Sequence, residues 1–111
     1  MTKIVKYPFG KADVQSVGYA STVTLEVANQ ETLVTLGKLT GAATLKVEVD
    51  SEVKNNAELT MLVEADGTTR TLTPDSGFVG GALTVTASKK FAIHAKFLNG
   101  EFVVLSFYQL N

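Results

Sequence analysis

The segment Ala43-Thr-Leu-Lys-Val-Glu-Val-Asp50 decides the fold class of this chain. Apolar side chains occupy every second position from Ala43 to Val49, and threonine, lysine and glutamate occupy the positions between them. A period of two places alternate side chains on opposite faces of an extended backbone. The segment is therefore predicted to be a β-strand with one buried face and one face toward water.

The same alternation recurs in residues 22–28, 58–65 and 91–97, with turn-forming residues between these segments. Asp66-Gly67 and Asn99-Gly100 are typical of two-residue hairpin turns, because a type I′ turn needs positive φ at both central positions. Strands separated in this way predict an all-β fold. We expect a single antiparallel β-sandwich or barrel-like domain, jelly-roll or Ig-like, of about eight or nine strands.

The first 20 residues differ from the rest, so we predict an N-terminal arm or edge segment (1–20) and an antiparallel β domain (21–111). Ile4, Tyr7 and Phe9 stand among lysines without clean alternation, and only residues 11–17 could form a helical turn. Two interpretations remain open. The segment is either an edge strand with a surface loop, or an arm that orders against a neighbouring chain.

The last predicted strand, Phe102-Val-Val-Leu-Ser-Phe-Tyr108, is apolar on both faces, and Leu62 and Leu98 lie on faces that are otherwise polar. A central strand and ordinary surface leucines would explain this pattern. A subunit interface would explain it as well, since contiguous exposed apolar patches usually have a function. On the second interpretation, the interface residues are Tyr7, Phe9, Leu62, Leu98, Phe102, Val104 and Tyr108.

Composition excludes several classes of protein. The chain has 111 residues, which suits one domain, and a formal net charge of −1, which gives no basic face for nucleic acid. It has no cysteine, so no disulfide framework or thiolate nucleophile is expected. No stretch approaches the roughly 18 apolar residues of a membrane span, and no signal-peptide core stands near Met1. We therefore expect a soluble protein with neither a nucleic-acid nor a membrane partner.

The chain offers little chemistry for catalysis. His94 is the single histidine, and no serine lies in a nucleophile elbow that could use it. The acidic residues fall at turns or at outward strand positions, and neither zinc nor calcium ligand spacing occurs. We predict no catalytic residue, no cofactor and no metal site, so the chain is not expected to be an enzyme. A hydrolase that uses His94 remains a hypothesis, but it is weaker than the two non-enzymatic hypotheses described below.

The strands and turns resemble those of small β-rich virion structural proteins of tailed bacteriophages. The resemblance rests on Thr44-Leu-Lys-Val-Glu-Val, on Ala57-Glu-Leu-Thr-Met-Leu-Val and on the closing turn Phe97-Leu-Asn-Gly-Glu-Phe-Val-Val-Leu. It spans about residues 23–106. Such proteins decorate heads or build head and tail fibres. The resemblance implies a non-enzymatic virion protein. Its leading interpretation is a capsid auxiliary or decoration protein.

The resemblance also implies partners and a location. The chain would contact itself in a homo-oligomer, with a trimer as one form, and would contact the major capsid protein or other virion components. It would reside in the virion, after assembly in the host cytoplasm. The alternative is a receptor- or carbohydrate-binding β-module of a phage fibre. The absence of tryptophan weakens that alternative, because sugar platforms usually use exposed aromatic rings.

Overall fold

The protein is described by a computed structural model, and the description that follows applies to residues 13–111. This part of the chain contains ten strands in two sheets. They are β1 (Asp13–Val17), β2 (Thr22–Val27), β3 (Glu31–Leu36), β4 (Ala43–Val49), β5 (Glu58–Glu64), β6 (Arg70–Pro74), β7 (Phe78–Val79), β8 (Leu83–Val85), β9 (Lys90–Leu98) and β10 (Glu101–Gln109). The larger sheet has the order β1-β3-β5-β9-β10-β7, and the smaller has the order β2-β4-β6-β8.

Successive strands from β1 to β8 alternate between the two sheets. The chain therefore winds around the core, and each strand of β1 to β4 pairs in parallel with the strand two places further along. Val14 pairs with Leu33 in the larger sheet, and Val23 pairs with Leu45 in the smaller one. We call β1 to β6 the coil. Only β9 and β10 follow each other within one sheet, and we call them the terminal hairpin.

The all-β prediction is confirmed, and the arrangement is sandwich-like, but the prediction of an antiparallel domain is wrong. Five of the eight strand pairings are parallel. Alternation and turn residues report where a strand begins, which face is buried and where the chain bends. They do not report which sheet the next strand joins, and in the coil the next strand crosses to the opposite sheet.

The two predicted hairpin turns have different outcomes. Asn99 and Gly100 have φ values of 53° and 91°, and they join β9 to β10 in an antiparallel pair, as predicted. Neither Asp66 nor Gly67 has a positive φ, and the strands on either side of them belong to different sheets. The hairpin predicted at Asp66-Gly67 is therefore wrong. The turn connects the two sheets instead.

The inward side chains of both sheets form a single core. Phe102 is fully buried, and its ring centroid lies 5.2 Å from that of Phe97 and 6.1 Å from that of Phe78. The terminal hairpin thus anchors itself in the core through an aromatic cluster. The coil contributes aliphatic side chains, and the largest fully buried ones are Leu25, Leu39, Leu45, Leu59, Met61 and Leu72.

The first described residues belong to the larger sheet. Asp13–Val17 forms β1 at its edge, so the helical turn predicted for residues 11–17 does not form over residues 13–17. The rest of the predicted arm, with Tyr7 and Phe9, lies outside the described residues. Within residues 13–111, no helix is long and apolar enough to cross a membrane.

Candidate assembly surface

The outer face of the larger sheet carries an apolar row at positions where a half-exposed sheet is normally polar. Strand register places Thr35, Leu62, Ala92 and Tyr108 side by side on β3, β5, β9 and β10. Leu62 is 37% exposed and Tyr108 is 55% exposed. Ala92 also faces outward, yet it is only 6% exposed, because larger side chains flank it. Leu62, Ala92 and Tyr108 therefore form a continuous apolar strip across three strands, and Thr35 borders it on β3.

Leu110 extends this strip beyond the end of β10. It is 49% exposed, and its backbone N–H donates to the Lys90 carbonyl at 2.7 Å. Leu62 and Leu110 line a shallow groove of about 190 Å³ on this face. We call the group Leu62, Ala92, Tyr108 and Leu110 the apolar patch.

Charged residues border the apolar patch at the same end of the sheet. Glu64 and Lys90 are paired across β5 and β9, and Lys38 Nζ lies 3.9 Å from Glu64 Oε2. Exposed ion pairs of this kind contribute little stability, in the range of about 0–1 kcal/mol. The charges therefore form a polar rim around an apolar centre, which is the usual anatomy of a protein–protein interface.

The remainder of the outer face is polar. Thr60, His94 and Ser106 form the row next to the apolar patch, and Glu58 and Lys96 pair in the row beyond. His94 Nε2 lies 3.6 Å from Glu58 Oε1. Both side chains are accessible to water, so this contact is a weak surface pair.

β10 has an irregular and largely unpaired outer edge. Its register against β9 shifts between Val104 and Ser106, which marks a β-bulge at Leu105. Leu105 is 52% exposed. On the other side of β10, the described residues supply a partner strand only at Phe102 and Val103, through the short β7. We call residues 105–109 the free edge.

The predicted interface residues fall into three groups. Leu62, Leu98 and Tyr108 are on the surface, and Val104 is partly buried against the core. Phe102 is completely buried within its own chain, so it supports the hairpin from inside and offers no surface to a partner. The remaining two, Tyr7 and Phe9, lie outside the described residues.

Sequence reasoning did not single out Ala92, Leu105 or Leu110 as residues of this face and edge. Ala92 has no signal of its own, because its place in the apolar patch depends on the register between β5, β9 and β10. Leu105 was included in a strand that was apolar on both faces, and the bulge that exposes it follows no sequence rule. The position of Leu110 could have been predicted from the sequence, since it lies two residues after Tyr108 and so falls on the same face of an extended chain.

The carboxylate of Asp66 stabilises a turn through hydrogen bonds. Arg70 donates to both carboxylate oxygens of Asp66 at 2.9 and 2.8 Å, and the Thr68 N–H donates to Asp66 Oδ1 at 3.1 Å. The hydrogen bond from Arg70 lowers the pKa of Asp66, and the same bond raises the pKa of Arg70. Asp66 thereby fastens the turn that carries the chain from one sheet to the other.

Among residues 13–111, His, Asp and Glu nowhere form a group of three that could hold a metal ion. The polar neighbour of His94 is Glu58, and no hydrogen bond links the imidazole to a serine or threonine hydroxyl within the described part of the chain. His94 thus makes a surface contact with Glu58, without the geometry of a catalytic triad.

No protein-family model matches this chain, and no curated protein is detectably similar to it in sequence.

Proposed function

We propose that this chain is a non-enzymatic structural protein of a bacteriophage virion, and that it acts as a capsid auxiliary or decoration protein. It works through contacts with copies of itself and with the major capsid protein or other virion components. The resemblance of its strands and turns to small virion proteins supports the virion assignment. The apolar patch supports assembly as the mode of action.

The single observation that carries the assembly role is the row Leu62, Ala92 and Tyr108. On a half-exposed sheet these positions normally hold polar side chains. Here they form an apolar strip with a charged rim, and Tyr is among the residues enriched at interfaces. Burying the apolar patch against a partner would remove its surface from water and stabilise the complex.

The exposed Tyr108 ring favours one second function, a carbohydrate-binding module of a phage fibre. A sugar could stack on this ring beside the groove that Leu62 and Leu110 line. A glycan array with the wild-type protein and a Tyr108→Ala variant tests this function. A reproducible signal that the variant loses would favour the fibre module over the capsid protein.

Light scattering after size exclusion tests the assembly role. The wild-type protein should have at least twice the monomer mass of 11.8 kDa. The Tyr108→Lys variant should have a lower mass, closer to that of the monomer. Thr71→Lys is the matched control, because Thr71 is an exposed position on the smaller sheet. This variant should keep the wild-type mass.

Co-sedimentation with capsids of the phage that encodes the chain tests the virion role. The protein should sediment with the capsids and should remain in the supernatant without them. A strict monomer with no affinity for capsids would contradict the proposal.

A further inference from the structure

We infer that the free edge of β10 binds the same edge of a second copy as an antiparallel strand pair, so that the two larger sheets join into one continuous sheet. This inference deepens the proposed function and rests on it: assembly is the role, and two-fold strand pairing is its means. Edge strands expose rows of N–H and C=O groups, and an unprotected edge is a template for another strand.

The hydrogen bonds of β10 indicate which groups the free edge offers. The Leu110 N–H donates to Lys90 on β9, at 2.7 Å. Backbone groups of successive residues in a strand point to opposite sides. The N–H and C=O groups of Phe107 and Gln109 therefore point away from β9. No strand of residues 13–111 pairs with that side beyond Val103.

Every other edge of the two sheets carries a protective feature. β7 and β8 have only two and three residues. β1 turns Asp13 and Gln15 inward, and inward polar residues disfavour the addition of a strand. On β2, the Gln15 side chain donates to the Glu26 carbonyl at 2.8 Å, which covers a backbone acceptor on the exposed side.

The free edge is five residues long, and its bulge at Leu105 lies at one end. Residues 103–110 contain no Lys, Arg, Asp, Glu or Pro, although such residues usually guard an edge strand. This composition also selects the partner. A two-fold axis brings each strand against its own copy, and an edge without charge meets no like charge there. A second copy of this chain is thus the partner that fits the free edge.

The bulge at Leu105 restricts the register in which the two copies of β10 can pair. A pairing centred on Phe107 would place Leu105 opposite Gln109 and would extend the ladder into the bulge. A pairing centred on Tyr108 uses only residues 106–110 of each copy and avoids it. Tyr108 then faces Tyr108 of the second copy, in a pair without direct hydrogen bonds. The two apolar patches become one row across the joined sheets.

The absence of cysteine from the chain makes a direct test simple. Residues opposite each other in such a pair have Cα atoms about 4.5 Å apart, within the range that a disulfide spans. Tyr108→Cys under mild copper–phenanthroline oxidation should give a disulfide-linked dimer in most of the protein. Thr24→Cys on the edge of β2 is the matched control and should give at least ten-fold less.

A second variant tests the backbone contacts. Gln109→Pro removes an N–H that points away from β9, so the intrachain ladder remains intact. It should weaken self-association at least ten-fold, as measured by sedimentation velocity. Gln109→Ala, which keeps this N–H, should associate like the wild type.

The outcomes separate the edge pairing from the assembly role. If the wild type assembles but Tyr108→Cys does not cross-link and Gln109→Pro assembles normally, the edge pairing is wrong and the assembly role stands. If the wild type stays monomeric and does not bind capsids, both are wrong. A monomeric Tyr108→Cys protein whose thiol resists a maleimide reagent would show that the same chain covers the edge, which also overturns the inference.

Discussion

The coil and the terminal hairpin are built from the same kind of alternating sequence, yet they pair their strands differently. In the coil the chain crosses to the opposite sheet after each strand, and the resulting neighbours are parallel. In the terminal hairpin the chain returns within one sheet, and the pair is antiparallel. The two predicted turns differ in the same way: Asn99-Gly100 adopts positive φ, whereas Asp66-Gly67, one of the crossings of the coil, does not.

The same comparison separates protected from unprotected surfaces. The coil ends in edges that carry inward polar groups or a side-chain cover on the backbone. The terminal hairpin ends in a long edge without charge, next to an exposed apolar patch. Under the proposed assembly role, the difference between these edges favours the terminal hairpin as the contact and the coil as its support.

Phe102→Ala should have the largest effect on stability. The side chain is fully buried between Phe78 and Phe97, and truncation of a core phenylalanine costs about 3–5 kcal/mol. Urea unfolding should show this decrease in the free energy of unfolding. The control is Leu98→Ala at the exposed end of β9, with an expected change within about 0.5 kcal/mol. Equal effects from the two variants would mean that the hairpin is not anchored through Phe102.

Gly77→Ala should have the next largest effect, because Gly77 makes the crossing from β6 to β7. Its φ is 89°, and a Cβ there would lie 2.6 Å from the Val47 carbonyl oxygen. Left-handed strain of about 1–2 kcal/mol and overpacking of about 1–3 kcal/mol should add. Gly81→Ala is the matched control, since a Cβ at Gly81 meets nothing within 4 Å. Thermal unfolding measures Tm for both variants. An equal decrease in Tm would contradict the role assigned to Gly77 in the crossing.

Gly100→Ala and Gly67→Ala compare the two predicted turns directly. A Cβ meets nothing within 4 Å at either position, but only Gly100 has a positive φ, of 91°. Gly100→Ala should therefore lose about 1–2 kcal/mol of stability, whereas Gly67→Ala should be neutral or slightly stabilising. Chemical denaturation of both variants measures the difference. A larger loss at Gly67 would reverse the assignment of the hairpin turn.

Asp66→Asn should have the smallest effect, and its signature is pH dependence. The bond from Arg70 lowers the pKa of Asp66 below its usual value of 3.8. The stability that this carboxylate contributes is thus complete above about pH 3.8 and is lost as the pH falls through the folded-state pKa. The variant should have a lower Tm than wild type at pH 7, and the gap should narrow at pH 3. The exposed Glu52→Gln variant should show no such gap at pH 7.

The sequence predicted individual elements better than their arrangement. The alternation in residues 43–49 identified β4 and its buried face, and Asn99-Gly100 identified the tight hairpin between β9 and β10. Local patterns could not reveal the parallel order of the coil, because strands such as β3 and β5 meet only after the chain has crossed the other sheet. The apolar patch was found in part, through Leu62 and Tyr108. Ala92 and the free edge depend on register and on a bulge, which need long-range pairing.

Amide hydrogen exchange at low and high protein concentration compares the two regions most directly. Phe107 and Gln109 point their N–H groups out of the hairpin edge, and Thr24 does so on the edge of β2. If the protein assembles through the terminal hairpin, exchange at Phe107 and Gln109 should slow at least ten-fold at high concentration, while exchange at Thr24 stays the same. Slowing at Thr24 alone, in a protein that does assemble, would contradict this and would place the contact on the coil.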